Sequence, residues 1–563
     1  MNRPNIIKNN ITLMALLTIM LPLSSYAQTV PSTADPSKVI RSFEADKQAP
    51  SRLEDIVTLG REDIDDEGLS DEKIFTLESV TLEGSTVYSQ DDINRIAADY
   101  IGKEASFADL NAIAKAVTKQ YREDGYIFSS ANLPPQTIKG GTIRLEAIEG
   151  RITGVNVVGD YTDTSGLIAR LAEKIKTAGP TSTKELERYM LLIDDLPGIT
   201  ARSVLKPSST PGGGDLVITI EQEKYEGSVS IDNRGNKFLG PYRGTLVASA
   251  NSLFGRHDRT TGRVVLSSST DELRFADIQH EQPIGSEGLR IRGRAAITNT
   301  EPGSSTLDAL NIEGKSHLFD VEMVYPVLRS RQYNIDIGAG FNALNVQTDT
   351  FGTQLSKDQV RSLRIMGELD FSDSLAGINQ IALTATKGVD ILGASNDGLG
   401  RTRINGEHEF LRTNIEASRV QGLFGDFSML FSVSGQHSSD ALLSSEEFSI
   451  GGGGFGRAYD AGEITGDKGV AGLVELRYGR SAQSHYVDSY QLFGYWDAGK
   501  VWNKNIAVGE VSSASLASAG LGVRANLIYD TFASIELNQP LTRSVGSKGD
   551  EDPRIFFNIL KRF

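Results

Sequence analysis

From Lys224 to the C-terminal Phe563 the chain alternates apolar and polar residues, segment after segment, with Gly, Asn, Asp and Ser clusters between the segments. Tyr333, Ile335, Ile337, Ala339 and Phe341 interleave with Asn334, Asp336, Gly338, Gly340 and Asn342, and Leu363, Ile365, Leu369 and Phe371 with Arg364, Glu368, Asp370 and Ser372. Leu289, Ile291, Ala295 and Ile297 interleave with Arg290, Arg292 and Arg294. A period of two puts each set on one face of a strand. Runs of about ten such residues, charged on one face, suit strands between lipid and a wet lumen. A soluble sandwich also alternates, but it buries a heavier aromatic core. Here the apolar faces are light and glycine is abundant. At about 21 residues per strand and connection, residues 226–563 make about 16 strands. The expected fold is mainly β, with a C-terminal transmembrane barrel of about 16 antiparallel strands over residues 225–563. Ile555, Phe557 and Ile559 share one face of the closing strand, and Lys561 interrupts that stripe where its ammonium can snorkel to the interface.

The N-terminus states the route. Arg3 and Lys8 precede an apolar stretch from Ile11 to Leu23, and Ser25-Tyr26-Ala27 puts small residues at −3 and −1. This is a secretory signal peptide over residues 1–27, with the mature chain starting at Gln28. The apolar core is shorter than the ~20 residues a spanning helix needs, and no comparable run follows. A membrane location therefore requires a closed barrel. The net charge of −16 excludes a nucleic-acid partner, which needs a cationic face. Cysteine is absent, which suits passage through an oxidising periplasm and is a weak signal.

Between signal and barrel lie four shorter regions. Residues 28–50 hold one helix, capped by Asp35, with Pro36 first, running to about Lys47. Residues 51–73 are acidic and aperiodic, as in a flexible linker. Two small α/β modules follow, residues 74–149 and 150–224, each ordered strand, helix, helix, strand, strand. In the first, the strands are expected at Phe75–Leu82, Ile127–Leu133 and Thr142–Ile148, and the helices at Asp91–Tyr100 and Phe107–Glu123. Neither module carries a pocket-forming constellation, so the pair reads as a docking arm with strand edges and apolar grooves. Tyr121, Phe128, Ser130 and Leu133 are the candidate docking residues, and proline at Ser130 is expected to remove a backbone donor from the edge.

No motif points to an enzyme or a cofactor. Gly451 to Gly456 formally fits G-x-G-x-x-G, but no buried parallel strand and helix surround it, so it reads as backbone that lets a long loop fold back. The six histidines lack metal-ligand spacing and are expected in solvated positions. No G-x-S-x-G nucleophile appears; a hydrolase at the barrel rim would leave no local signature, but it gives the modules no role. One constellation is sharper. Arg457 follows the glycine run, and in the strand around Trp496 the residues Tyr495, Asp497 and Gly499 face the lumen while Leu492, Trp496 and Ala498 face lipid. An arginine on a lumen-inserted loop is positioned to pair with Asp497 and pin the loop.

These residues resemble the outer-membrane transporters of two-partner secretion, the hemolysin-activator and filamentous-hemagglutinin-exporter group of the Omp85 superfamily. In that family a lumen loop carries V-R-G-Y/F or an R-A-Y variant, and a later strand carries F/G-x-D-x-G. Arg457-Ala458-Tyr459 and Tyr495-x-Asp497-x-Gly499 match, with Gly456 in the valine slot and Tyr495 in the first slot of the second motif. Ile231 to Asn236, leading to Gly240-Pro241-Tyr242, is similar to the family's opening strand. The resemblance implies that Arg457, Tyr459, Asp497 and Gly499 anchor the loop, that the N-terminal helix plugs the pore, and that two POTRA modules in the periplasm capture a large secreted exoprotein by strand pairing. Further partners are outer-membrane lipid and, during biogenesis, the barrel assembly machinery; no nucleotide, metal or other cofactor is implied. Two rivals remain at this point: a barrel insertase of the same superfamily, which usually carries more POTRA modules and needs no plug, and a passive porin, which lacks a periplasmic arm.

Overall fold

The structure is a computed structural model that describes residues 31–43, 57–58, 71–176, 179–210, 212–303, 307–395, 400–482, 484–507 and 510–563. The signal peptide, the expected start at Gln28 and most of the acidic linker lie outside the described residues. No helix among the described residues is long and apolar enough to cross a membrane.

The alternating region closes into a barrel of 16 antiparallel strands, from Tyr225–Asp232 to Arg554–Arg562. The last strand pairs with the first from Ser228↔Arg562 to Asp232↔Asn558. The faces follow the alternation: Trp496 and Leu492 are 52% and 48% exposed on the outside, while Asp497 and Glu475 are fully buried inside. Lys561 donates to the carbonyl of Tyr529 in the neighbouring turn, beyond the apolar band. Short turns (330–332, 528–530) lie at the module end and long connections (389–410, 439–467) at the other.

The inner wall is graded. Toward the long-loop end, neighbouring strands contribute the apolar residues Val265, Phe275, Ala296, Leu318, Leu344 and Val360. Two residues further toward the modules the same strands carry Arg263, Asp277, Arg294 and Asp320, joined by Arg263–Asp277 and Arg294–Asp277 bonds at 2.9 Å.

Both modules form where the sequence places them, with shifted boundaries. In the first, helices α2 (Gln90–Ile96) and α3 (Phe107–Glu123) each start at a serine whose hydroxyl accepts from the backbone three residues on, while Asp92 or Asp109 bonds back. They cover a sheet of Ser79–Glu83, Thr142–Ile148 and Ser130–Asn132, in that order. The expected strand Phe75–Leu82 is split in two, because Phe75–Thr76 pairs with Glu104–Ala105 instead. In the second, α4 (Leu167–Ile175) and α5 (Thr183–Asp194) pack on Arg151–Asp160, Gly213–Gln222 and Ile199–Pro207. That sheet has a fourth strand from the supposedly flexible linker: Val57–Thr58 pairs parallel with Ser203–Val204. Acidic, aperiodic sequence does not prevent pairing at an open edge, where backbone groups supply the bonds.

The arm is joined to the barrel rim. Arg329 holds Asp195 with a bidentate bond at 2.7 and 2.5 Å. His257, expected in solvent, is fully buried in a barrel turn, 3.1 Å from Asp163 at the start of α4.

Candidate functional site

The connection 439–467 turns into the lumen as a small hairpin, Phe448–Ile450 paired with Ile464–Gly466, and its tip carries Arg457. The glycines are needed here. Gly456 sits at φ +71° and a Cβ on it would lie 2.8 Å from Leu516, so a β-branched residue does not fit this turn. On the wall, a Cβ on Gly499 would lie 2.5 Å from Ile450 of the hairpin, which is how closely the loop seats.

Arg457, Tyr459, Asp497 and Gly499 come together at this seat, but the pairing differs from expectation. Asp497 accepts from the backbone N–H of Arg457 at 3.1 Å and from the Ser518 hydroxyl at 2.5 Å. The Arg457 guanidinium reaches Glu475 instead, at 2.5 Å, with its face 4.7 Å from the Tyr495 ring centre. The expected Arg457–Asp497 side-chain pair is therefore wrong. One carboxylate fixes the loop backbone, and a second, on the adjacent strand, takes the charge.

Glu475 also accepts from Arg477 at 2.7 Å and from Arg524 at 2.8 and 3.0 Å, so one buried carboxylate serves three guanidiniums. The rest of the tip is equally constrained. The Tyr459 hydroxyl donates to the carbonyls of Ala517 and Arg543 at 3.2 and 3.3 Å. Arg554 donates to the Ala458 carbonyl at 2.9 Å and to Asp460 at 2.7 Å. Sequence reasoning missed Glu475. Its strand parity places it on the lumen side like Asp497, opposite Tyr495 in register, but parity alone cannot choose between two inward carboxylates.

The same loop holds the N-terminal helix. α1 (Pro36–Ser42), capped by Asp35 as expected but shorter, stands inside the barrel; residues 44–47 of the expected helix lie outside the described residues. Ser32 donates to the Gly462 carbonyl at 2.7 Å, the Ser444 hydroxyl to Asp35 at 2.7 Å, and Arg41 to Glu446 at 2.9 Å. Lys38 is buried, bonded to the Ser444 carbonyl and 3.4 Å from Glu447. Loop and helix are thus bonded to each other inside the barrel, and the loop is tied to the wall at Glu475 and Asp497.

The candidate docking residues do not form one surface. Tyr121 is fully buried in the first module's core, bonded to Ser85 at 2.7 Å and Glu149 at 3.0 Å, and burial raises its hydroxyl above the ordinary tyrosine value. Its helical spacing marked a core stripe, not a groove. Phe128 packs on the second module's core and Leu133 on the first's. Ser130 does lie on an edge strand, but the outward N–H of Ala131 is taken by the Thr118 hydroxyl at 2.9 Å, whose own proton is shared between the carbonyls of Ala114 at 3.0 Å and Ala131 at 3.3 Å. The N–H of Ser130 therefore faces the neighbouring strand inside the sheet. Proline there breaks an internal bond rather than an open edge.

Comparison with known proteins agrees with this arrangement. The family model of ShlB-type POTRA domains matches residues 75–150, and that of the haemolysin secretion/activation proteins ShlB/FhaC/HecB matches residues 212–525. The heme/hemopexin transporter protein HuxB of Haemophilus influenzae is 24% identical over 480 residues, covering 84% of each chain. The outer membrane transporter CdiB of Dickeya dadantii is 24% identical over 83% of this chain and 82% of its own. Among solved structures, CdiB from Escherichia coli superposes with a TM-score of 0.74 at 20% identity, over 89% of this chain and 93% of that one, which shows a shared fold.

Proposed function

This chain belongs to the haemolysin secretion/activation family ShlB/FhaC/HecB, and from that premise we propose how its lumen is held shut and what opens it. As a member of that family it is an outer-membrane transporter of two-partner secretion, with its POTRA modules in the periplasm and a secreted exoprotein as its partner. In our reading the resting state is the one described: α1 is seated in the lumen by Ser444, Glu446 and Gly462, and the loop that holds it is locked to the wall through Arg457. A large exoprotein docks on the modules by strand pairing, and the Val57–Thr58 pairing is the same chemistry within the chain. Docking releases helix and loop, the exoprotein passes as an extended chain, and its folding outside draws it through without nucleotide. Outer-membrane lipid contacts the exposed faces, and the barrel assembly machinery inserts the chain during biogenesis.

The observation that carries this reading is the joint seating of helix and loop, since neither can leave the lumen without breaking bonds to the other. Deleting residues 35–50 tests it, because these residues supply no barrel strand. Single-channel conductance and sensitivity to large antibiotics are expected to rise with the barrel still folded. Unchanged conductance would show that the helix does not close the pore.

A further inference from the structure

Phe43, directly after α1, lies against the barrel wall rather than pointing into the lumen. Its ring centre is 4.8 Å from that of Phe275, at an interplanar angle of 42°. The guanidinium carbons of Arg243 and Arg263 stand 5.5 and 5.9 Å from the same ring, and Arg263 donates to the Phe43 carbonyl at 3.2 Å. Phe43 also packs with Leu239 and Leu273.

The parts of this socket are held by the wall, not by the helix. Asp232 fixes Arg243 through two bonds at 3.0 and 2.9 Å, and Asp277 fixes Arg263 through two at 2.9 Å. Both arginines are therefore oriented before any ring arrives. The rest of α1 is held by polar bonds to the folded loop, which suit this one helix, and by Val39, which shares Leu239 and Leu273 with Phe43. The socket asks only for an aromatic ring with a carbonyl beside it. It also adjoins the apolar part of the wall around Val265 and Leu318, where the residues nearer the modules are charged.

We infer that this socket is a binding site for aromatic side chains of the exoprotein in transit, with Phe43 as its resting occupant. An extended chain presents each side chain next to a carbonyl, which is the pair of groups Phe275, Arg243 and Arg263 recognise. The path then has an aromatic station after a charged stretch. A ring held there for a moment checks backward slippage and leaves again, since a single stacked contact is weak. The inference rests on the plug reading, because the socket is free only when α1 has left.

The experiment uses planar bilayers containing the variant that lacks residues 35–50, with its conductance read before anything is added. The probes are three polar peptides of equal length and charge that differ at one central position: Phe, Leu or Ala. The Phe peptide is expected to block the current with dwell times about tenfold longer than the Ala peptide, the size of a cation–π and ring contact. The Leu peptide is expected near the Ala value, and Phe275→Leu or Arg263→Gln should bring the Phe peptide down to it. Equal dwell times for the three peptides would overturn the socket, and so would a Phe effect that survives both substitutions or is matched by Leu. Unchanged conductance after the deletion removes the plug reading and the socket with it, and is told apart because it precedes the peptides.

Discussion

The barrel and the two modules use the same residue types turned inside out. In the modules, apolar side chains such as Leu145 and Ile218 are fully buried and charges face water. In the barrel, Leu492 and Trp496 face outward while Glu475 and Asp497 are fully buried in the lumen. A module core loses stability smoothly as apolar area is removed. The lumen is held by charge-assisted bonds, where one deletion leaves partners uncompensated. The difference teaches where a single substitution stops function and where it loosens a fold.

The largest effect is expected at Glu475. Glu475→Ala leaves Arg457, Arg477 and Arg524 facing each other without their carboxylate, at about 3–5 kcal/mol for an unpaired buried charge. Secretion should be abolished while heat-modifiable migration still reports a folded barrel. Arg457→Ala should act in the same direction, and Arg457→Lys should retain part of the activity because the charge to Glu475 remains. The exchange Arg457→Asp with Asp497→Arg should recover nothing, since those side chains are not partners. Recovery of secretion by that exchange would restore the direct pair that the structure replaces.

Tyr121→Ala comes next, in the module core. It removes a large buried ring and leaves Glu149 short of a donor, which destabilises the first module by about 3–5 kcal/mol. Protease sensitivity should rise in the arm while the barrel stays resistant. A stable module with lost exoprotein binding would return Tyr121 to the docking surface.

Asp497→Asn should be milder, about 1–3 kcal/mol, because the amide oxygen still accepts from Ser518 or the Arg457 amide but without charge. Secretion should fall without vanishing. An Asp497→Asn defect equal to that of Glu475→Ala would make the backbone lock, not the guanidinium cluster, the main anchor.

The smallest effect is a pH dependence in the arm. The bond from Lys73, with those from Ser106, holds the Asp109 carboxyl down at about 2 against an ordinary 3.8. A depressed value stabilises the folded state above 3.8, and that contribution is lost as pH falls towards 2. Pepsin cleavage within α3 should therefore increase across this window, and Asp109→Asn should remove the dependence. Asp109 is partly exposed and its partner Lys73 more so, so solvent screens the pair and the change should be slight.

Barrel, modules and the N-terminal helix were readable in the sequence because each depends on local spacing. A period of two fixes which residues face lipid, a period of 3.6 fixes the helices, and Ser-x-x-Asp or Asp-Pro marks where helices begin. The strand count followed from length, and the residues that meet at the loop tip from their motifs. What folding decided were the choices among chemically equivalent partners. Asp497 and Glu475 are both inward carboxylates within reach of the loop, and Arg457 reaches Glu475 because the hairpin brings its backbone, not its side chain, to Asp497. The stripe containing Tyr121 could have been groove or core until the sheet covered it, and the edge at Ala131 looked open until Thr118 closed it. Periodicity assigns a residue to a face, but only packing in three dimensions decides which groups on facing surfaces meet, because partners far apart in the chain compete for the same bond.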